Sequence, residues 1–176
     1  MFDWRALRRW SARASWMTTG LFIVLAVISL FILPQGKDGG EVVGHARAGD
    51  GDSLEIAGRR LRLHGIDAPE LDQTCRDEAG RPYPCGRVAR DRLRNLVGGG
   101  EITCAVNGTD RFERLLVACR SGEVDINARM VADGWAISYG AYSDEEAEAR
   151  RAGRGIWQGE FERPRDWRDA RHNTAR

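Results

Sequence analysis

Leu61-Arg62-Leu63-His64-Gly65-Ile66-Asp67-Ala68-Pro69-Glu70 carries an alternating strand straight into a rigid acidic corner. Alternation puts Arg62 on the face opposite Leu61 and Leu63. Pro69 has a fixed φ and biases Ala68 toward extended geometry, so Glu70 is held on a stiff corner shortly after Asp67. Two carboxylates held in that way suit a metal-and-base site. Upstream, Asp50-Gly51-Asp52-Ser53 places two more acids on a tight turn ahead of the strand-like Ser53-Leu54-Glu55-Ile56. Downstream, Thr109-Asp110-Arg111-Phe112-Glu113-Arg114 presents arginines just before the apolar run Leu115-Leu116-Val117-Ala118.

In this order, GDGDS, LRLHGIDAPE and TDRFER resemble the thermonuclease (staphylococcal-nuclease-like) family, over roughly residues 42–157. The resemblance implies a five-stranded OB-type barrel with packed helices and a calcium-dependent phosphodiesterase that cuts DNA and RNA, preferably single-stranded. It also implies roles. The carboxylates of Asp52 and Asp67 and the main-chain carbonyl of Ala68, where the family often has threonine, would hold calcium, with Asp50 behind them. Glu70 would activate or orient the attacking water, and Arg62 and Arg114 would clamp the phosphate. Tyr142, with Tyr139, would face the substrate. Plain alternatives exist for each: a solvated turn, a capping acid, a strand-end arginine, a core tyrosine. One departure stands out, since the family commonly has glycine where this chain has Glu113. A residue with a Cβ resists positive φ, so a turn that needs it would tend to misplace Arg114.

A coarse reading of the elements agrees with that architecture. Strands are expected over 43–47, 53–56, 59–64, 101–106 and 114–120, with Ala57-Gly58 as a two-residue hairpin turn. A helix over 85–97 carries Val88, Leu93, Leu96 and Val97 on one stripe and ends at Gly98-Gly99-Gly100. Two further helices are expected over 126–133, with Gly134 closing it, and over 143–152, opened by a capping box of Ser143 and Glu146. The expected class is therefore α+β and mainly β, an OB-type barrel over 42–160 with three packed helices. The arginine-rich, polar tail over 161–176 reads as surface or disordered.

The chain has 176 residues, 42% of them apolar, enough for one domain and an appendage. The appendage is at the N-terminus. Residues 16–33 carry no charge and approach the length of a bilayer core, with Arg5, Arg8, Arg9 and Arg13 before them. The positive-inside bias makes 16–34 a transmembrane signal anchor, with 1–15 cytoplasmic, 35–41 a linker, and the domain periplasmic or extracellular. The apolar run exceeds that of a cleaved signal peptide, and the A-x-A at Ala46-Arg47-Ala48 lies inside an expected strand. Net charge is +1 overall and −2 from Glu41 onward, which counts against a strong nucleic-acid binder and points to weak substrate affinity aided by a local arginine face rather than by the global field. Cys75, Cys85, Cys104 and Cys119 all lie on the expected exported side. Two disulfides fit an oxidising compartment, and of the three possible pairings the local one, Cys75 with Cys85 and Cys104 with Cys119, is favoured. Zinc fits poorly, because there is no C-x-x-C and His45, His64 and His172 are scattered. A membrane-anchored monomeric nuclease is the expectation. A non-catalytic OB-type module binding an oligonucleotide, oligosaccharide or protein is the alternative.

Overall fold

The computed structural model describes residues 39–174. The expected cytoplasmic segment, transmembrane anchor and most of the linker lie outside the described residues. No described helix is long and apolar enough to cross a membrane.

Strands β1 (Glu41–Ala48), β2 (Ser53–Ile56), β3 (Arg59–Leu63), β7 (Glu101–Thr109) and β8 (Leu115–Ser121) run in the order β3-β2-β1-β7-β8. Parallel pairing of β3 with β8, Leu61 opposite Leu115 and Leu63 opposite Val117, closes them into a barrel. The long β1 serves two neighbours: Glu41–His45 pair with β7 and Ala46–Ala48 with β2. Alternate residues point inward, as the period of a strand requires, so Leu54, Ile56, Leu61, Leu63, Ile102 and Val117 fill the core. Ala57 and Gly58, both at positive φ, make the tight β2–β3 turn.

Short strands complete the frame. β4 (Ile66–Asp67) pairs with β10 (Ile137–Ser138), β5 (Cys75–Arg76) with β6 (Pro82–Tyr83), and β9 (Val124–Asp125) extends β8. The helices are α1 (Cys85–Val97), α2 (Ile126–Ala132), α3 (Ser143–Arg151) and α4 (Pro164–Thr174), with a 3-10 turn at Gly155–Gln158. The buried face of α1 is Ala89, Leu93 and Val97, with Leu96 packed beside it and Val88 only half-buried. Asp125 caps α2 by accepting from the Ala128 N–H (2.9 Å). A second apolar cluster, Cys75, Cys85, Ile137 and Ile156 with Trp135, Trp157 and Phe161 around it, lies outside the barrel.

Two disulfides form in the favoured pairing. Cys104 and Cys119 face each other across β7 and β8, and Cys75–Cys85 ties β5 to the start of α1.

Three expectations are corrected. The tail is helical over Pro164–Thr174 rather than disordered, and mostly exposed as the surface reading had it; Pro164 sits at the first helical position, where its missing N–H costs nothing. Four helices rather than three are therefore present among the described residues. The capping box does not form: Tyr142 takes the cap position at φ +65° with no side-chain cap bond. Glu146 instead turns its carboxylate to the Ser138 N–H (3.1 Å), satisfying β10 rather than its own helix.

Candidate active site

The acidic corner is assembled from segments far apart in sequence. The Asp50–Asp52 turn folds on itself as Asp50 accepts from the Asp52 N–H (3.0 Å). Gly51 lets it pack hard against its surroundings, since a Cβ there would fall 2.6 Å from the Ala68 Cβ and 2.9 Å from the Ala89 Cβ. Gly86, in the first turn of α1, presses the other side of the corner. A Cβ there would fall 1.7 Å from the Glu70 carbonyl oxygen. Barrel turn, strand exit and helix are thus clamped at two glycines.

Two buried amides that the sequence reading missed hold the backbone. Asn127, fully buried on α2, donates to the carbonyls of His64 (2.9 Å) and Val117 (3.0 Å) and accepts from the Cys119 N–H (3.1 Å), fixing where β3 ends. Gln73, also fully buried, accepts from the Glu70 N–H (3.1 Å) and donates to the Glu162 carbonyl (2.7 Å). No local pattern signals either one, because each also reaches a distant segment, Gln73 the Glu162 carbonyl and Asn127 the His64 carbonyl.

Within this frame Arg62 is a bridge. Nη1 donates to Asp52 Oδ1 and Nη2 to Asp67 Oδ1, both at 2.8 Å. The Ala68 N–H (3.1 Å) binds Asp52 Oδ2, and Ser53 Oγ (3.2 Å) adds a bond to Asp52 Oδ1. Both aspartates are nearly sealed from solvent, at 3% and 2% exposure. Burial pushes the Asp52 carboxyl up to about 7, with Asp50 and Asp67 adding to it against the pull of Arg62 and the Ala68 N–H. Burial works against the charge on Arg62, yet the two aspartates outweigh it and raise its pKa.

The residue that ties Glu70 into the network is Arg168 of α4, in the tail expected to be surface or disordered. Its Nη1 donates to Glu70 Oε1 (2.7 Å) and Asp67 Oδ1 (3.0 Å), and its Nη2 to Asp67 Oδ2 (3.1 Å). Burial disfavours its charge, but hydrogen bonds to Asp67 and Glu70 prevail and raise its pKa. No short motif could have revealed it.

Arg114 is elsewhere. Its Nε (2.8 Å) and Nη2 (2.8 Å) bind Asp110 Oδ2, and its N–H binds Asp110 Oδ1 (3.0 Å). Burial opposes the charge of Asp110, but hydrogen bonds from Arg114 and Phe112 hold its carboxyl below the usual range. Glu113 adopts φ +62°, so the turn keeps a glycine-like conformation despite the side chain. Arg114 lines a cleft of about 260 Å³ with Arg47, Ser53, Glu55, Arg60 and Leu61. Ser53 belongs to both places, lining this cleft and bonding Asp52. Among the described residues, no hydrogen bond joins Arg114, Tyr139 or Tyr142 to Asp52, Asp67 or Glu70. Tyr139 is exposed, while Tyr142 is half-buried against the main core, with burial raising its hydroxyl's pKa.

The sequence matches a family profile, "Staphylococcal nuclease homologue", over residues 60–159. The chain belongs to the staphylococcal nuclease family. That match spans more than half of the chain and takes in β3 from Arg60, the Asp67–Glu70 segment and the arginine turn, but begins after the Asp50–Asp52 turn and stops short of α4. Among similar proteins, the succinoglycan biosynthesis protein ExoI of Rhizobium meliloti is 32% identical over 145 residues, covering 78% of this chain and 76% of its own. An uncharacterized endonuclease of Haemophilus influenzae is 28% identical over 152 residues, covering 80% and 77%. The probable staphylococcal-like nuclease CAN3 of Oryza sativa subsp. japonica is 33% identical over 122 residues, 65% of this chain but only 30% of its own.

In donor chemistry this corner suits a hard divalent cation: two buried carboxylates, a main-chain carbonyl at Ala68 and a neighbouring glutamate. Asp52, its carboxyl pushed up to about 7 chiefly by burial, with Asp50 and Asp67 adding to it, is a group that a cation would relieve. In geometry the carboxylates close around arginines instead. Among the described residues, no three His, Cys, Asp or Glu side chains converge as a metal cage.

Proposed function

We propose that this protein is a calcium-dependent endonuclease that hydrolyses phosphodiester bonds in DNA and RNA, preferably in single strands, at the extracytoplasmic side of a membrane. The observation that carries the reading is Arg62 seated between two buried aspartates, with Glu70 in the same hydrogen-bonded network. Nuclease and endonuclease names among the relatives support it. The uncharged stretch 16–33 behind four arginines supports the membrane placement, and two disulfides suit an oxidising compartment.

In this reading Asp52, Asp67 and the Ala68 carbonyl hold calcium, with Asp50 orienting the turn. The ion supplies Lewis-acid polarisation of a phosphate oxygen. The chain's own groups do the rest. Glu70 accepts a proton from water as its oxygen attacks phosphorus, a general-base contribution of typically about 10²- to 10⁴-fold. Arg62, a planar fork already oriented by its aspartates, turns its N–H groups to the phosphate as charge develops. The bond from phosphorus to the leaving 5′-oxygen then breaks, that oxygen taking a proton from solvent to leave as a hydroxyl, and 3′-phosphate ends are the expected products. Arg114 exchanges Asp110 for a phosphate oxygen when a strand lies along the cleft that Ser53 shares with the corner. Tyr142 and Tyr139 flank the strand rather than the reacting atoms.

The second reading, a non-catalytic OB-type binder, draws on Arg114 being committed to Asp110 and on the acid at Glu113. One assay separates the two. The detergent-solubilised full chain is incubated with heat-denatured DNA and calcium, beside Glu70→Gln and chelator controls. Cleavage that vanishes in both controls is expected. Binding without cleavage by the folded, disulfide-intact chain would select the binder.

A further inference from the structure

The helix α4 is held to the domain in an unusual way. Its root is fixed by backbone bonds: Arg76 and Glu160 exchange N–H donors (2.8 and 3.1 Å), Gln73 grips the Glu162 carbonyl, and Pro164 is buried. Beyond the root, none of its described side chains belongs to either apolar cluster. What holds the arm down is charge. Arg168 binds Asp67 and Glu70, and Arg171 binds Asp72 while stacking on Trp167 (4.2 Å). An exposed pair such as Arg171–Asp72 is weak and screened by salt, whereas the pair of Arg168 with buried Asp67 is screened less and yields to a competing charge rather than to salt. α4 is therefore an arm on a firm base, docked by two arginines onto an acidic surface.

Arg168 sits where a cation would have to act. Asp67 Oδ1 already accepts from Arg62 and Arg168, and Oδ2 accepts from Arg168, so three of about four acceptor positions on this carboxylate are taken. Calcium needs six to eight oxygen ligands and tolerates no guanidinium among them. We infer that Arg168 holds the place of the divalent cation against Asp67 and Glu70, so that cation binding requires α4 to release and Arg168 sets the cation affinity of the site. This rests on the reading of the acidic corner as a cation site. The helix lies past the residues that match the family profile.

The exchange conserves charge sensibly. Without cation, Arg62 and Arg168 offset the corner's buried acids. With cation, Arg62 keeps Asp52 while the released Arg168 frees Glu70 Oε1 for a water proton. Release thus links metal loading to freeing of the base.

The test is calcium binding by titration calorimetry on the detergent-solubilised full chain, with Arg168→Ala, Arg171→Ala and Arg165→Ala beside wild type. Arg168→Ala is expected to bind calcium at least tenfold more tightly. Arg171→Ala, which loosens the arm without touching the corner, is expected to gain less, and the exposed Arg165→Ala not to change. Hydrogen exchange at the amides of 165–171 is expected to speed up with calcium in wild type. Unchanged or weaker calcium affinity in folded Arg168→Ala, or no calcium binding by any variant, would overturn the inference. Failure of the nuclease reading has a different signature: no cleavage by any variant at saturating calcium, with the tenfold affinity gain intact.

Discussion

The acidic corner and the arginine turn are both built on tight turns that present charge, yet they are held in opposite ways. At the corner, Asp52, Asp67 and Glu70 are tied to Arg62, Arg168, Gln73 and two close glycine contacts drawn from five parts of the chain. At the arginine turn, everything that positions Arg114 lies within 110–114, apart from one bond from Arg60 to the Phe112 carbonyl (3.2 Å). Long-range buried networks give precision. A local turn gives a side chain that can trade its partner at small cost. The lesson is a division of labour, in which the corner is preorganised and the turn adapts to a substrate.

The largest expected effect comes from breaking the corner. Asp67→Ala leaves Arg62 and Arg168 facing each other without their shared carboxylate, and losing one partner of a buried ion pair typically costs about 3–5 kcal/mol. Urea denaturation is expected to show a loss of that order, whereas Asp110→Ala should cost far less. Comparable losses would erase the contrast.

Next is the pH response of Asp52. Its folded pKa, about 7, lies above the ordinary 3.8, so the folded state binds the extra proton between these values and stability falls as pH rises through that window. At about 1.4 kcal/mol per unit, the fall is on the order of 2–4 kcal/mol. In chelator, wild type is expected to lose stability relative to Asp52→Asn between pH 4 and 7. Asp77, Asp91 and Asp110, whose pKa values are lowered, act below that window with the opposite sign. Parallel melting curves for wild type and variant would contradict the assignment.

Gly86→Ala sharpens the same contrast with less force. Its Cβ collides with the Glu70 carbonyl, a backbone atom that has little room to yield. Overpacking of this kind costs about 1–3 kcal/mol, and Glu70 is expected to move with it, lowering kcat more than it raises KM. Smallest is Glu113→Gly. Relieving a left-handed glutamate is expected to stabilise by about 1 kcal/mol or less, since glycine gives back part of the gain as unfolded-chain entropy. A large destabilisation on thermal melting would mean that the Glu113 side chain holds the turn.

Much of the fold was legible because its signals are local. Alternation gave β2 at its true bounds, the α1 helix was read over 85–97 as observed, and Ala57-Gly58 made its hairpin turn. β7 outruns its expected end at Val106 because the register shifts between Val106 and Gly108, where β8 still offers Leu116 and Leu115 as partners. The helix α4 escaped notice because arginines dock it, leaving no apolar stripe to read. The carboxylates of the corner were legible as motifs. Gln73, Asn127 and Arg168, which fix the geometry, were not, because each acts across a long stretch of chain.

The central claim is that two regions without a shared hydrogen bond act on one phosphate. A double-mutant cycle in kcat/KM on denatured DNA, with Glu70→Gln, Arg114→Ala and the pair, measures this most directly. Residues that serve one transition state lose activity non-additively. Each single variant is expected to fall about a hundredfold or more, with the pair little worse than the poorer single. Wild-type turnover in Arg114→Ala, or losses that simply multiply, would separate the arginine turn from the acidic corner and contradict the account.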